Sequence, residues 1–302
     1  EGWKLITPHL SFNASSWGLM LRRVWLPRAL WLEARDLGAI ACRTLLAGLK
    51  DRGPAGARAL LTLDLRNARL SGAGDVTEVA SACRGLQSLD LSRTRLRDDG
   101  LALLARGLLP RSGTSSAVHN SLKILTLEEN MLTRGAGSVL ADLAMGGTPL
   151  EALLLARNEL GDTGAQALAS ALQGGSRLAR LDLSENGLAA DGLAALLGTS
   201  PVGGSSALRS LDVGGNEKIG AVLAACPELA EEVARGLSGA MKLRDLHLWR
   251  CGLADAAYLL VERARPPHLE LLNVATNPFS TSLRERLLRP LQEGCLAAWI
   301  RL

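Results

Sequence analysis

His247 and Cys251, four residues apart, come closest in this chain to an imidazole–thiol pair. Such a pair does chemistry when the imidazole takes the thiol's proton, or when nitrogen and sulfur share a metal. The spacing would suit one face of a helix. Both residues instead lie in "LRDLHLWRCGL" (243–253), whose alternation reads as a strand and its turn. His9, His119 and His268 are scattered. The cysteines, Cys42, Cys83, Cys226, Cys251 and Cys295, are odd in number, far apart and without a C-x-x-C. They give neither a disulfide framework nor a zinc set. Reduced, partly buried thiols fit them better and point to an intracellular home. No phosphate-cradling G-x-x-x-x-G-K-[ST], dinucleotide G-x-G-x-x-G, zinc H-E-x-x-H or nucleophile-elbow G-x-S-x-G occurs. The expectation is a chain that is not an enzyme, with no catalytic residue, no metal site and no cofactor.

Composition narrows the remaining classes. The 302 residues are 47% hydrophobic but only 3% aromatic, so the core must be aliphatic, built of Leu and Ala. A net charge of +4 is far from the concentrated basic face of a nucleic-acid binder. No run of about 18 uncharged apolar residues exists, so no membrane span is expected. Asn13-Ala14-Ser15 matches a glycosylation triplet of a kind common by chance. The chain opens at Glu1 rather than Met, so targeting signals cannot be judged from it.

What positions any functional side chain is a repeat. The pattern L-x-x-L-x-L-x-x-N-x-L is plainest in "LKILTLEENML" (122–132), "LEALLLARNEL" (150–160) and "LARLDLSENGL" (178–188). "LLTLDLRNARL" (60–70) and "LQSLDLSRTRL" (86–96) put Ala68 and Thr94 in the Asn slot, and 243–253 puts Cys251 there. "LRSLDVGGNEK" (208–218) and "LELLNVATNPF" (269–279) keep the Asn, and "PRALWLEARDL" (27–37) is a degraded first copy. In each copy L-x-L alternation predicts a short strand with one buried face. The stretch that follows, as in "GDTGAQALASAL" (161–172), has helical spacing. One repeat cannot bury its own leucines, so the copies must stack with their strands parallel. The recurrent Asn130, Asn158, Asn186, Asn216 and Asn277 sit where the chain leaves the strand. Their amides can both donate and accept, which suits them to backbone groups left bare by that turn. Asp162 or Thr163 is placed to cap the start of its own helix. Gly164, which recurs as Gly100 and Gly192, is expected to mark a close approach of the neighbouring repeat.

Over about residues 27–280 the chain resembles the leucine-rich repeat family. Its spacing near 28 residues, with a helix after each strand, is similar to the ribonuclease-inhibitor-like subclass. That group includes ribonuclease inhibitor, Ran GTPase-activating protein and the sensor domains of NOD-like receptors. The resemblance implies an α/β fold. It would be a right-handed horseshoe solenoid of about nine repeats, with a parallel sheet on the concave face and helices on the convex face. The expected organisation is an N-terminal cap or junction over 1–26, the repeat domain over 27–279 and a capping helix over 280–302. Trp3, Trp17 and Trp25 would cover one open end, and Trp299 and Ile300 the other. Cysteine-rich caps of secreted relatives are absent, in keeping with an intracellular setting.

The polar residues between the buried leucines would line the concave face. The central row reads Trp31, Asp64, Asp90, Thr126, Leu154, Asp182, Asp212, His247, Asn273. The next adds Glu33, Arg66, Glu128 and Trp249, and the preceding one Arg180 and Asp245. Acids therefore dominate a face of a chain whose net charge is positive. An acidic face with tryptophans at its two ends suits a basic protein segment and repels phosphates. The candidate partner-binding residues are Trp31, Glu33, Asp64, Asp90, Glu128, Asp182, Asp212, His247 and Trp249. Against this, "LDLS" is close to the family consensus, so the aspartates can equally be scaffold. Loops at 108–121 and 198–207, and a helical excursion at 217–239 broken near Pro227, lengthen three repeats along one rim.

The functional expectation is a non-catalytic interaction scaffold, a subunit or adaptor of an intracellular assembly. It would be cytoplasmic first, with a cilium or organelle also open. The alternatives are a regulator of a small GTPase, like Ran GTPase-activating protein, and the ligand-sensing part of a NOD-like receptor. The first lacks that family's long acidic tail here. The second requires a nucleotide-binding module ahead of Glu1. Both rest on likeness of fold.

Overall fold

The computed structural model describes residues 61–292, with breaks at 69, 71, 83–84, 110–120, 146–147, 199–206 and 265, and the strands at 3–5, 29–32 and 300–301. Glu33, the Asn13 triplet, Trp17, Trp25, Trp299, the side chains of Trp3, Trp31 and Ile300, and most of the loops at 108–121 and 198–207 lie outside the described residues. The chain divides into two compact units. The first is Glu1–Leu132 with Asp142–Leu154, and the second is Thr133–Ala141 with Leu155–Leu302.

In the first unit the strands are β1 (Trp3–Leu5), β2 (Ala29–Leu32), β3 (Thr62–Asp64), β4 (Ser88–Asp90), β5 (Ile124–Thr126) and β6 (Ala152–Leu154). Each pairs in parallel with the next. Helices α1 (Ala73–Ala82) and α2 (Arg97–Leu108) follow β3 and β4 and pack on each other. A further helix, α3, spans Gly137–Met145. In the second unit β7 (Arg180–Asp182), β8 (Ser210–Asp212), β9 (Asp245–His247), β10 (Leu271–Asn273) and β11 (Ile300–Arg301) are likewise parallel. They alternate with α4 (Gly161–Gln173), α5 (Ala190–Leu197), the pair α6 (Lys218–Ala225) and α7 (Pro227–Gly239), α8 (Asp255–Arg263) and α9 (Thr281–Gln292). The excursion at 217–239 is thus two helices, with Pro227 starting the second.

The L-x-L leucines form the core. Leu63, Leu89, Leu125 and Leu153 in the first unit, and Leu181, Leu211, Leu246 and Leu272 in the second, are fully buried. The registers align them strand to strand, so each unit holds a continuous ladder of leucine. After each strand the chain must turn sharply. The residue before the Asn slot does this in the left-handed region, with φ from 50° to 71° at Asn67, Arg93, Glu129, Arg157, Glu185, Gly215, Arg250 and Thr276. For a non-glycine residue that conformation costs roughly 1–2 kcal/mol. It throws the side chain onto the rim, where neighbouring repeats pair Arg93 with Glu129 at 2.7 Å and Arg157 with Glu185 at 3.4 Å.

The Asn slot meets the backbone demand of that turn. Asn216 accepts from the Asn186 and Leu188 N–H groups at 2.9 and 3.0 Å, and donates to the Val213 and Leu183 carbonyls. Asn277 does the same for Cys251, Leu253, Val274 and Leu248. Each amide therefore serves its own turn and the turn of the preceding repeat. Removing one would leave several buried backbone groups unpaired, at about 1–3 kcal/mol each.

Two local expectations are corrected. Asp162 does not cap its own helix: the N-cap of α4 is Leu160, with no side-chain cap. Its Oδ1 instead accepts from Ala189 N at 2.8 Å and Gly192 N at 3.0 Å, capping α5 in the next repeat. Thr163 is exposed. Similarly Asp255, in the first turn of α8, accepts from Ser280 N and Oγ, and Ser280 Oγ accepts from Leu283 N at the start of α9. These bonds hold the Asp255 carboxyl below its usual range. The glycines also differ among themselves. A methyl carbon at Gly192 would meet Asp162 and Ala165 of the preceding repeat at 2.5 and 3.2 Å, as the sequence suggests. At Gly164 and Gly100 the first obstacle is the terminal leucine of the same repeat, Leu160 or Leu96. Tighter approaches between repeats lie elsewhere: a carbon at Gly220 would lie 2.1 Å from the Gly252 carbonyl oxygen, and one at Gly214 would lie 2.1 Å from Trp249 Nε1.

Candidate functional site

The strand registers place the central-row residues side by side within each unit. Trp31, Asp64, Asp90, Thr126 and Leu154 are successive partners in the first. Asp182, Asp212, His247 and Asn273 are successive partners in the second. Spacing alone sets this, because side chains alternate faces along a strand and the flanking leucines fix which face is buried.

In the first unit the acids are engaged. The Arg66 guanidinium donates to both Asp64 oxygens, the closest contact being 2.7 Å, and its Nε lies 3.4 Å from Asp90 Oδ2. Asp64 is only 6% exposed. Asp90 Oδ1 accepts from the N–H and hydroxyl of Ser92. Burial pushes the Asp90 carboxyl up, against these hydrogen bonds. Beyond Asp90 the surface turns apolar: Ile124 is 39% exposed, Leu154 is half-buried, and Glu128 is half-buried just past β5.

In the second unit Asp182 and Asp212 have no arginine partner among the described residues. Asp182 Oδ1 accepts from Ser184 N and Oγ, and Asp212 Oδ1 from Gly214 N. Trp249 reaches back one repeat and donates its indole N–H to Asp212 at 3.2 Å. It lies over Gly214, where an added side chain would strike its ring, and beside Gly215, where one would meet Glu185 first and then the ring. His247 Nδ1 stands 3.8 Å from Asp212 Oδ2 and 3.4 Å from Asn273 Nδ2. Burial, chiefly, pushes the Asp212 carboxyl up; the neighbouring Asp182 adds to this, while Gly214 N–H, His247 and Trp249 oppose it. Arg180 and Asp245 flank the row, exposed and half-buried, and Arg180 makes no ion pair among the described residues. The glycine pair in "LDVGGN", where other copies carry bulkier residues, is the sequence signal for the seat of Trp249 that the repeat pattern alone misses.

Cys251 is fully buried, and its Sγ donates to the Val213 carbonyl at 3.3 Å. Burial pushes its thiol up to about 12, so at neutral pH it is neither thiolate nor nucleophile. It fills the Asn slot, doing part of what an asparagine amide does elsewhere. No group of three or more His, Cys, Asp or Glu among the described residues is placed to hold a metal. No described helix is long and apolar enough to cross a membrane.

The family match and the structural likeness to LegL7 agree with this architecture. A family model described as "Leucine Rich repeat" matches residues 82–105, 148–169 and 178–197. No curated protein matches in sequence. The leucine-rich repeat-containing protein LegL7 from Legionella pneumophila is similar in structure, with a TM-score of 0.51 and 17% identity over 95% of this chain and 77% of that one. A chain in the crystal structure of the yeast Rad7–Elc1 complex covers 93% of this chain and 77% of its own at 14% identity, with a TM-score of 0.47. With the leucine ladders, the asparagine turns and the matched repeats in place, the chain is a leucine-rich repeat protein.

Proposed function

We propose that this chain is a non-catalytic protein-interaction scaffold, an adaptor or subunit of an intracellular assembly, and that it takes a basic segment of its partner on the strand face. The observation that carries this reading is the Asp182–Asp212 pair. Parallel register sets the two acids on adjacent strands, and no arginine or lysine among the described residues lies within ion-pair distance of either. Two carboxylates in a half-buried row repel each other, and Asp212 already resists ionisation. An incoming guanidinium or ammonium would relieve both costs. Trp249, its indole edge fixed by Asp212, offers an aromatic surface beside them. In the first unit, Trp31, Glu33, Asp64, Asp90 and Glu128 are proposed for the same role on that unit's own strand face. The buried Cys251 and the lack of catalytic motifs support the non-catalytic part of the reading.

The test replaces Asp64, Asp90, Asp182 and Asp212 together by Asn. Binding of a labelled arginine-rich peptide is followed by fluorescence anisotropy from low to high salt. The expected result is strong, salt-sensitive binding by the parent chain that the replacement removes. Unchanged binding without salt dependence would overturn the reading.

A further inference from the structure

On the helical side of the second unit, the repeat that follows β8 supplies two helices where its neighbours supply one. Between α6 and α7 on one side and α8 on the other runs a cleft of about 700 Å³. Its walls are short: Ala224, Ala230 and Ala234 face Ala256 and Ala257. The larger apolar side chain at its mouth, Leu259, is 40% exposed. Both helices of the first wall are closely packed on other elements. Gly236 of α7 seats against Leu197 of α5, and Gly220 of α6 against the Gly252 backbone, which fixes where α6 and α7 lie.

The charges on the walls are unbalanced. Arg235 and Arg263 line the cleft with a single acid, Glu231. Neither arginine forms an ion pair with a described residue. Elsewhere in this unit Arg244, Arg250 and Arg286 are matched, to Glu270, Glu217 and Glu262, at 2.5–2.9 Å. An open trough with a small-residue floor admits the apolar ridge of a helix, whose i, i+4 side chains project into such grooves. Unmatched arginines on its walls select carboxylates flanking that ridge.

We infer that the α6–α7–α8 cleft is a second docking surface, which receives an amphipathic helix of a partner protein with acidic residues on either side of its apolar stripe. It is separate from the strand face and takes the opposite charge, so one chain can join a basic segment to an acidic helix.

The test uses two labelled peptides of about 16 residues with a leucine stripe at i, i+4 spacing, one flanked by glutamates and its twin by lysines. Binding to the full chain is read by fluorescence anisotropy. The glutamate peptide should bind at least about tenfold more tightly than the lysine twin. Arg235→Glu with Arg263→Glu should invert that order. Ala256→Trp, at an exposed position in the trough, should block both peptides without moving the thermal midpoint. Asp182→Asn with Asp212→Asn should leave glutamate-peptide binding untouched, which separates this site from the strand face. Equal affinities for the twins, no inversion by the double reversal, or occupation by dodecanoate with both peptides silent would each overturn the proposal.

Discussion

Two aspartate pairs occupy the same register position in the two units and face different fates. Asp64 and Asp90 belong to "LDLR" and "LDLS", and Asp182 and Asp212 to "LDLS" and "LDVG". In the first unit Arg66, two residues beyond Asp64 and on the same face, spans both acids and cancels much of their field. In the second the corresponding positions are Ser184 and Gly214, which offer hydrogen bonds but no charge. The base in contact with Asp212 among the described residues is His247, at 3.8 Å. One consensus thus yields a neutralised pair and an exposed demand for a cation. What differs is the pair of residues two positions downstream, Arg66 and Ser92 in one unit and Ser184 and Gly214 in the other. Function in such a repeat is read from those variable positions, since the aspartate itself is shared.

The sharpest way to break the comparison is to remove each pair separately. Asp182→Asn with Asp212→Asn should lower affinity for an arginine-rich peptide by about tenfold or more at low salt, whereas Asp64→Asn with Asp90→Asn should cost less than about threefold. Anisotropy titrations on the two double variants decide it, and equal losses would abolish the distinction. Next in size, Arg66→Ala should turn the first pair into a copy of the second. Peptide affinity should rise a few-fold, while chemical denaturation should show a loss of about 1–3 kcal/mol, because the nearly buried Asp64 is left without its guanidinium.

A third, smaller effect is in pH. Asp212 is raised above its ordinary 3.8, so on acidification the folded chain takes up this proton before the unfolded chain does. Its contribution to stability is therefore present below 3.8 and lost as pH rises through the raised value. Binding runs the other way, since a cation needs the carboxylate. Peptide affinity should fall as pH drops through the window just above 3.8, and Asp212→Asn should flatten that slope in a calorimetric pH series. The smallest effect is expected on the rim. Arg93→Ala removes an exposed pair with Glu129 and should change the thermal unfolding free energy by no more than about 0.5 kcal/mol.

Much of the scaffold was legible because it depends on period alone. The L-x-L spacing placed Asp64 beside Asp90 and Asp182 beside Asp212, and the Asn slot located every turn amide. Pro227 marked the break between α6 and α7. What period does not encode is the partner of a polar side chain. Asp162 has the place of a cap for its own helix, yet it reaches the next one, because stacking brings Ala189 and Gly192 closer to its carboxylate. Trp249 reads as an outward anchor, yet its indole lies back over Gly214 and Gly215 and is held by Asp212. Arg66 was counted as one base among many acids. Its real weight comes from a rotamer that spans two strands. These outcomes depend on distances between repeats, which no single repeat contains.

The cross-repeat caps carry a consequence for how the second unit comes apart. The turn amide of one repeat holds the repeat before it, and the Asp162 carboxylate holds the repeat after it. An interior repeat cannot melt alone without stranding donors on both sides. Loss of structure should therefore travel as a zipper from an end, with hydrogen-exchange protection highest at the middle repeats and thinning outward.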